Sequence, residues 1–139
     1  MAEPHSALPN IAHVPECCAC GVDGLGLKRW TDGTRAYGEV LLDHRHGGYS
    51  NTAHGGMIAM FLDDVLGTVP QISGHLAVTG TLEVRYRRPG ILGRRYTLSA
   101  WLVAERGRRL EVAGEMADDE GVIAEASGTW VGVATTHFS

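Results

Sequence analysis

His54-Gly55-Gly56-Met57-Ile58-Ala59-Met60-Phe61-Leu62-Asp63-Asp64-Val65-Leu66 is the stretch whose reading decides the fold. Past its two glycines it is good helix material, and Gly67 closes it. Its side chains are apolar nearly all round, which predicts a helix enclosed by the rest of the protein. Everything C-terminal to it reads as strand. Leu76 to Arg88 closes at Pro89-Gly90, and Tyr96 to Glu105 closes at Arg106-Gly107. Leu110 to Ala117 runs to the acidic turn Asp118 to Gly121, and Val122 to Val133 completes the set. N-terminal to the helix, Leu25 to Trp30 and Arg35 to Leu42 read as strands around the turn Asp32-Gly33, and Asp43 to Asn51 as loop. One long buried helix followed by four meandering strands predicts an α+β fold, with an antiparallel sheet wrapped around the central helix.

A chain of 139 residues is the size of one domain. Residues 1–16 hold Pro4, Pro9 and Pro15 without periodicity and are expected to form a flexible arm; residues 17–139 are expected to form the domain. Hydrophobic residues at 44% and charged residues at 20% exclude a disordered chain. Glycine, 19 residues, predicts many tight turns or close backbone approaches. The longest apolar run, Met57 to Leu62, is far short of the roughly 20 residues of a membrane helix. Met1-Ala-Glu-Pro-His lacks a basic, then apolar leader. The expectation is a soluble, cytoplasmic protein with no membrane partner.

A net charge of −4 argues against a nucleic-acid partner. The charge is unevenly spread, however. Between Arg85 and Arg109 stand eight arginines against Glu105 alone. Such a run is either a solvated hairpin or a seat for a small polyanion, since guanidinium forks suit phosphate oxygens. Cys17, Cys18 and Cys20 form no disulfide framework. Cys17-x-x-Cys20 is half a zinc knuckle, which would need nitrogens from His44 and His46 to become a metal site. The reading adopted is structural cysteines and no metal. His44, His46, His75 and His137 read as loop or turn residues, Met57 and Met60 as helix core, and Trp30, Trp101 and Trp130 as strand aromatics.

An ionised carboxylate on an enclosed helix must be paired, hydrogen-bonded or neutralised. Asp63 and Asp64 therefore either face a solvent gap or a partner chain, or one of them is a catalytic group with a tuned pKa. Neighbouring helical residues point about 100° apart, so the two do not share one proton on one face. Before the helix, His54-Gly55-Gly56 leaves backbone N–H groups uncovered at the positive end of the helix dipole. Such groups can polarise a carbonyl as an oxyanion hole does.

The segment Gly48-Tyr49-Ser50-Asn51-Thr52-Ala53-His54-Gly55-Gly56 running on to Asp63-Asp64 resembles the signature loop and helix of hot-dog fold acyl-CoA thioesterases, nearest to the phenylacetate-pathway type. Cys17-Cys18-Ala19-Cys20-Gly21, leading to Gly24-Leu25-Gly26-Leu27, is similar to the opening segment of many bacterial members. Leu82-Glu83-Val84-Arg85-Tyr86-Arg87-Arg88-Pro89 is similar to their strand after the helix, which typically ends in Tyr-x-Arg-Pro. The resemblance runs from about residue 17 to 132.

It implies hydrolysis of an acyl-CoA thioester to free acid and coenzyme A. Asp63 takes the place of the catalytic acid, as general base or nucleophile. Gly55 takes that of the backbone N–H on the thioester oxygen, His54 stands beside it, and Thr79 matches a hydroxyl that positions water. Asn51, Gly56, Asp64, Arg87 and Arg88 fall among the expected substrate contacts. The sequence departs from the pattern at Gly48, where relatives often carry Asn. No cofactor is implied. Gly56 and Asp63 lie about 10 Å apart along one helix, too far to act together within a chain. The expected active species is therefore a homodimer or a homotetramer built as a dimer of dimers. Two other functions fit the same residues: a hot-dog dehydratase using His54 on a 3-hydroxyacyl thioester, and a non-catalytic acyl-CoA-binding module. Asp63 argues against the pure binder, which has little use for a costly carboxylate, and release of free thiol from simple acyl-CoAs separates a hydrolase from a dehydratase.

Overall fold

The computed structural model describes residues 17–21 and 24–134. The expected arm over residues 1–16 and His137 lie outside the described residues. Two short strands, β1 (Lys28–Thr31) and β2 (Ala36–Leu41), precede a 3-10 turn over His44–His46 and the helix α1 (Gly55–Leu66). A one-turn helix α2 (Val69–Ile72) leads into four long strands: β3 (Ala77–Tyr86), β4 (Arg95–Arg106), β5 (Arg109–Asp118) and β6 (Gly121–Gly132). All pairings are antiparallel, in the order β1-β2-β4-β5-β6-β3. The helix-and-wrapping-sheet architecture is the expected one.

Four details differ from the sequence reading. Only β4, β5 and β6 form a meander; β3 skips its sequence neighbour and pairs with β6 at the far edge. The helix that intervenes before β3 carries the chain across the sheet, so the next free edge is β6. The first strand starts at Lys28 rather than Leu25. Leu25 and Leu27 give their N–H groups to the carbonyls of Cys18 and Ala19, at 2.8 and 3.0 Å, and so have none for a ladder. Residues after α1 form the turn of α2 before any strand begins, with Pro70 in its first turn.

The fourth difference concerns α1 itself. Ile58, Phe61, Leu62, Val65 and Leu66 are buried, while Gly55 and Gly56 are exposed and Met57, Ala59, Met60 and Asp63 half-buried. The helix is thus covered along one stripe by its own chain, not all round. Its uniformly apolar sequence conceals this, because Ala and Met carry the uncovered face.

The close seat of the helix on the sheet depends on two glycines. A Cβ on Gly114 of β5 would lie 2.6 Å from Leu66 Cδ1 and 2.5 Å from the Ser99 carbonyl. One on Gly38 of β2 would lie 2.7 Å from Val65 Cγ2. Flanking them, Leu110, Val112 and Met116 alternate inward along β5 with a period of two. The high glycine content therefore serves close approach as well as turns. Gly114→Ala is expected to lower the unfolding free energy by about 1–3 kcal/mol through overpacking. Chemical denaturation measures it, and an unchanged midpoint would contradict this account of the helix seat.

Candidate active site

The N-terminus of α1 is built by its preceding loop. His54 is the N-cap, extended at φ −62° and ψ 132°, and its Nδ1 accepts from the Gly56 N–H at 2.9 Å. That bond assigns the ring proton to Nε2. His54 also donates its own N–H to the His46 carbonyl at 2.7 Å, tying the loop down. His46 is wholly buried, receiving the Asp43 N–H on Nδ1 at 2.9 Å and reaching the Leu25 carbonyl through Nε2 at 2.7 Å. It is a structural pin, and no ligand to the cysteines. Gly48 passes so close to His54 that a Cβ would sit 2.7 Å from the His54 Cα. The departure from Asn at this position thus has a steric reason. Asn51 adopts a left-handed φ of 59°, a conformation Asn tolerates, and serves as a turn residue.

With Gly56 N–H committed to His54, the Gly55 N–H has no partner among the described residues and is exposed. The same Gly55–Gly56 peptide is braced from its other side. Tyr86, the last residue of β3, donates its hydroxyl to the Gly55 carbonyl at 2.7 Å. Sequence reasoning missed this role. The Tyr-x-Arg-Pro resemblance marked the residue, but nothing in the spacing puts it on a helix thirty-one positions earlier.

Two turns further along α1, Asp63 accepts a hydrogen bond from the Thr79 hydroxyl at 2.8 Å. Register slips between Thr79 and Thr81, so Gly80 is a bulge beside Thr79, a device that re-aims neighbouring side chains. Burial pushes the Asp63 carboxyl above its ordinary pKa; the Thr79 bond opposes this and the Asp64 charge adds to it. Asp64 points elsewhere, as the helical turn requires. Its Oδ2 lies 3.5 Å from Arg29 Nε and its Oδ1 3.7 Å from Cys17 Sγ. Asp63, Asp64, Thr79, Cys17, Gln71 and Trp130 line one cavity of about 300 Å³. A larger depression of about 770 Å³ lies over Trp30 and Tyr37, away from Asp63, Thr79 and Gly55. Chemistry, not size, selects the first.

Folding pairs most of the arginine run with opposite charges. Six of its eight members meet carboxylates: Arg85 with Glu83, Arg87 with Glu125, Arg88 and Arg94 with Asp118 and Glu120, Arg95 with Glu39, and Arg106 with Glu111. Arg88 also donates to the Gly121 carbonyl at 2.9 Å, which makes it a clamp on the turn between β5 and β6. Arg88 is thus engaged by the turn from Asp118 to Gly121, and Arg87 by Glu125. Linear charge density overstated the field because most of the partners come from other strands or from the turn after β5.

Residues 50–125 match the family model of the thioesterase superfamily. Among solved structures the chain is similar to a thioesterase superfamily protein at 33% identity and a TM-score of 0.68. That likeness covers 76% of this chain and 54% of the other, so the chain spans about half of that protein's length. A variant of the phenylacetic acid degradation protein PaaI from Thermus thermophilus is 25% identical, with a TM-score of 0.72 over 78% of this chain and 95% of that one. A Streptococcus mutans protein solved bound to acetyl CoA is 20% identical, with a TM-score of 0.74 over 88% of this chain and 97% of that one; this likeness is one of fold. No curated protein matches.

A half-buried carboxylate whose pKa is raised costs stability once ionised. In the unfolded chain Asp titrates near about 3.9. The protonated form's contribution is therefore present below that pH and lost as pH rises through the higher folded pKa. Asp63→Asn, neutral throughout, is expected to melt at or above the wild-type temperature at neutral pH. Its advantage should shrink on acidification. Melting curves across pH measure this, and a less stable variant at neutral pH would contradict it.

Proposed function

Because the chain belongs to the thioesterase superfamily, we propose that it hydrolyses an acyl-CoA thioester to the free acid and coenzyme A. The observation that carries this reading is the half-buried Asp63, held by Thr79 in a cavity, on a helix whose N-terminus offers an uncommitted Gly55 N–H. The fold it shares with a protein that binds acetyl CoA supports the choice of coenzyme A ester. In the proposed reaction the Gly55 N–H donates to the thioester oxygen, where charge develops as the carbonyl carbon becomes tetrahedral. Asp63 takes a proton from water as the water oxygen bonds to that carbon. The C–S bond then breaks, and the leaving coenzyme A thiolate takes up the proton that Asp63 received, which restores the carboxylate. Thr79 donates to Asp63 Oδ1, fixing the carboxylate and favouring its ionised form. Dehydration through His54 is less well supported. Its Nδ1 already accepts the Gly56 N–H, and the proton assigned to Nε2 makes that atom a donor rather than a base.

As a base, Asp63 gives kcat/KM an acid limb above the ordinary carboxylate range. Thr79→Val removes the bond that holds the pKa down, so the limb should move to higher pH. Asp63→Asn should abolish the limb and lower turnover by about 10²-fold or more. A panel of aryl, short and medium acyl-CoAs, assayed for free thiol, provides the measurement. Wild-type rates in Asp63→Asn would refute the assignment.

Gly55 and Asp63 lie about 12 Å apart along one straight helix, so a single chain cannot bring both to one carbonyl. The reading therefore needs two chains, each lending its Gly55 to the other's Asp63. Mixing two inactive variants, Asp63→Asn and Gly55→Pro, tests it. The extended ψ of 132° at His54 suits a following proline, and Gly55 is the first helical position, where Pro is tolerated. After subunit exchange, active sites should return to about a quarter of the wild-type number in a two-fold dimer. No recovery, with exchange confirmed, would mean that both groups act within one chain.

A further inference from the structure

The cysteine turn remains outside the thioesterase reading, and folding gives it a third partner. Cys17, Cys20 and Asp64 each offer one ligand atom, and the three atoms lie within 4.8 Å of one another. Cys20 Sγ is 3.1 Å from Cys17 Sγ, and Cys17 Sγ is 3.7 Å from Asp64 Oδ1. Two thiolates and a carboxylate on a tetrahedral zinc ion, with bonds of about 2.3 and 2.1 Å, would stand about 3.8 Å (S to S) and about 3.6 Å (S to O) apart. The thiols, 3.1 Å apart, need to part by about 0.7 Å. From this convergence we propose that Cys17, Cys20 and Asp64 form a site for one thiophilic divalent cation of the zinc class. The site pins the turn at residues 17–21 to α1.

Three features of the surroundings suit such an ion. The turn is tight and pre-formed: the Gly21 N–H reaches the Cys17 carbonyl at 2.8 Å, and the Cys20 N–H reaches Cys17 Sγ at 3.5 Å. Gly24 closes it from the other side, with no room for a Cβ between the carbonyls of Cys17 and Cys18. The carboxylate is oriented from behind, as ligating carboxylates generally are. Its Oδ2 faces Arg29, while Arg29 Nη1 donates to Thr68 Oγ1 at 2.8 Å and that hydroxyl donates to the Asp64 carbonyl at 2.9 Å. The charge also favours a cation. Two thiolates and one carboxylate carry −3; a divalent cation leaves −1, with Arg29 Nε 3.5 Å from Asp64 Oδ2. Binding displaces two thiol protons to solvent, so it weakens on acidification.

A disulfide is the rival use of Cys17 and Cys20. It would give the approach of Asp64 to Cys17 no role. The site stands on its own atoms, so its test and that of the hydrolase reading can fail separately.

The test uses the full chain, reduced, stripped with a chelator and then titrated with Co²⁺ and with Zn²⁺ against a chromophoric competitor. One ion per chain is expected, with thiolate-to-cobalt charge-transfer bands and a rise in melting temperature. Cys18→Ser should behave as wild type. Cys17→Ser with Cys20→Ser should lose the bands, and Asp64→Asn should weaken binding by about tenfold or more, as loss of a ligand does. If the double serine variant does not fold, Asp64→Asn keeps both thiols and decides the matter: wild-type affinity there overturns the proposal. Absence of stoichiometric binding to folded, reduced wild type also overturns it. So does recovery of the pair as a disulfide, two mass units lighter, in protein that takes up no metal when reduced.

Discussion

Helix α1 is a rigid rod whose two ends do different work, and its contact with the sheet governs both. Val65 and Leu66 lie against Gly38 and Gly114, where any side chain would collide with them. This brings the helix down onto the sheet and buries the stripe from Ile58 to Leu66. Once the rod is seated, its length and pitch fix the separation of Gly55 from Asp63, and no side-chain motion can close it. The division of the proposed site between two chains follows from that rigidity.

The half of α1 that its own sheet leaves uncovered is where polar groups gather. Asp63 is met there by Thr79 across a bulged β3, while the Gly55–Gly56 peptide is gripped by His54 and Tyr86. Among the described residues, each grip leaves one group without a hydrogen-bond partner, the Gly55 N–H at one end and Asp63 Oδ2 at the other. Desolvation works against Asp63 as a stable anion. Asp64, one residue on, is handled oppositely. It faces Arg29 and the cysteine turn and is drawn into a local network instead.

Charge elsewhere is organised by strand pairing. The arginines from Arg85 to Arg109 look like a cationic tract along the chain, yet β5, β6 and β2 bring glutamates and aspartates to most of them. Several of these pairs are exposed and individually worth little. Their effect is to flatten the field over the outer sheet rather than to stabilise it.

The sequence by itself determined the helix from Gly55, the strand-rich remainder, the placement of Asp63 and Asp64 on different faces, and an uncovered N–H at a Gly-Gly start. These follow from local rules: periodicity, capping and the angle between successive helical residues. Only the tertiary structure decided the position of β3 at the far edge, the side of α1 left open, the brace from Tyr86 to Gly55, and the joining of Arg88 to Asp118. It also brought Cys17 and Cys20 to Asp64 rather than to His44 or His46. All of these depend on which strand lies beside which and on how closely the helix approaches the sheet. Spacing along a chain carries no information about contacts between elements forty residues apart, because those are set by packing the whole core at once.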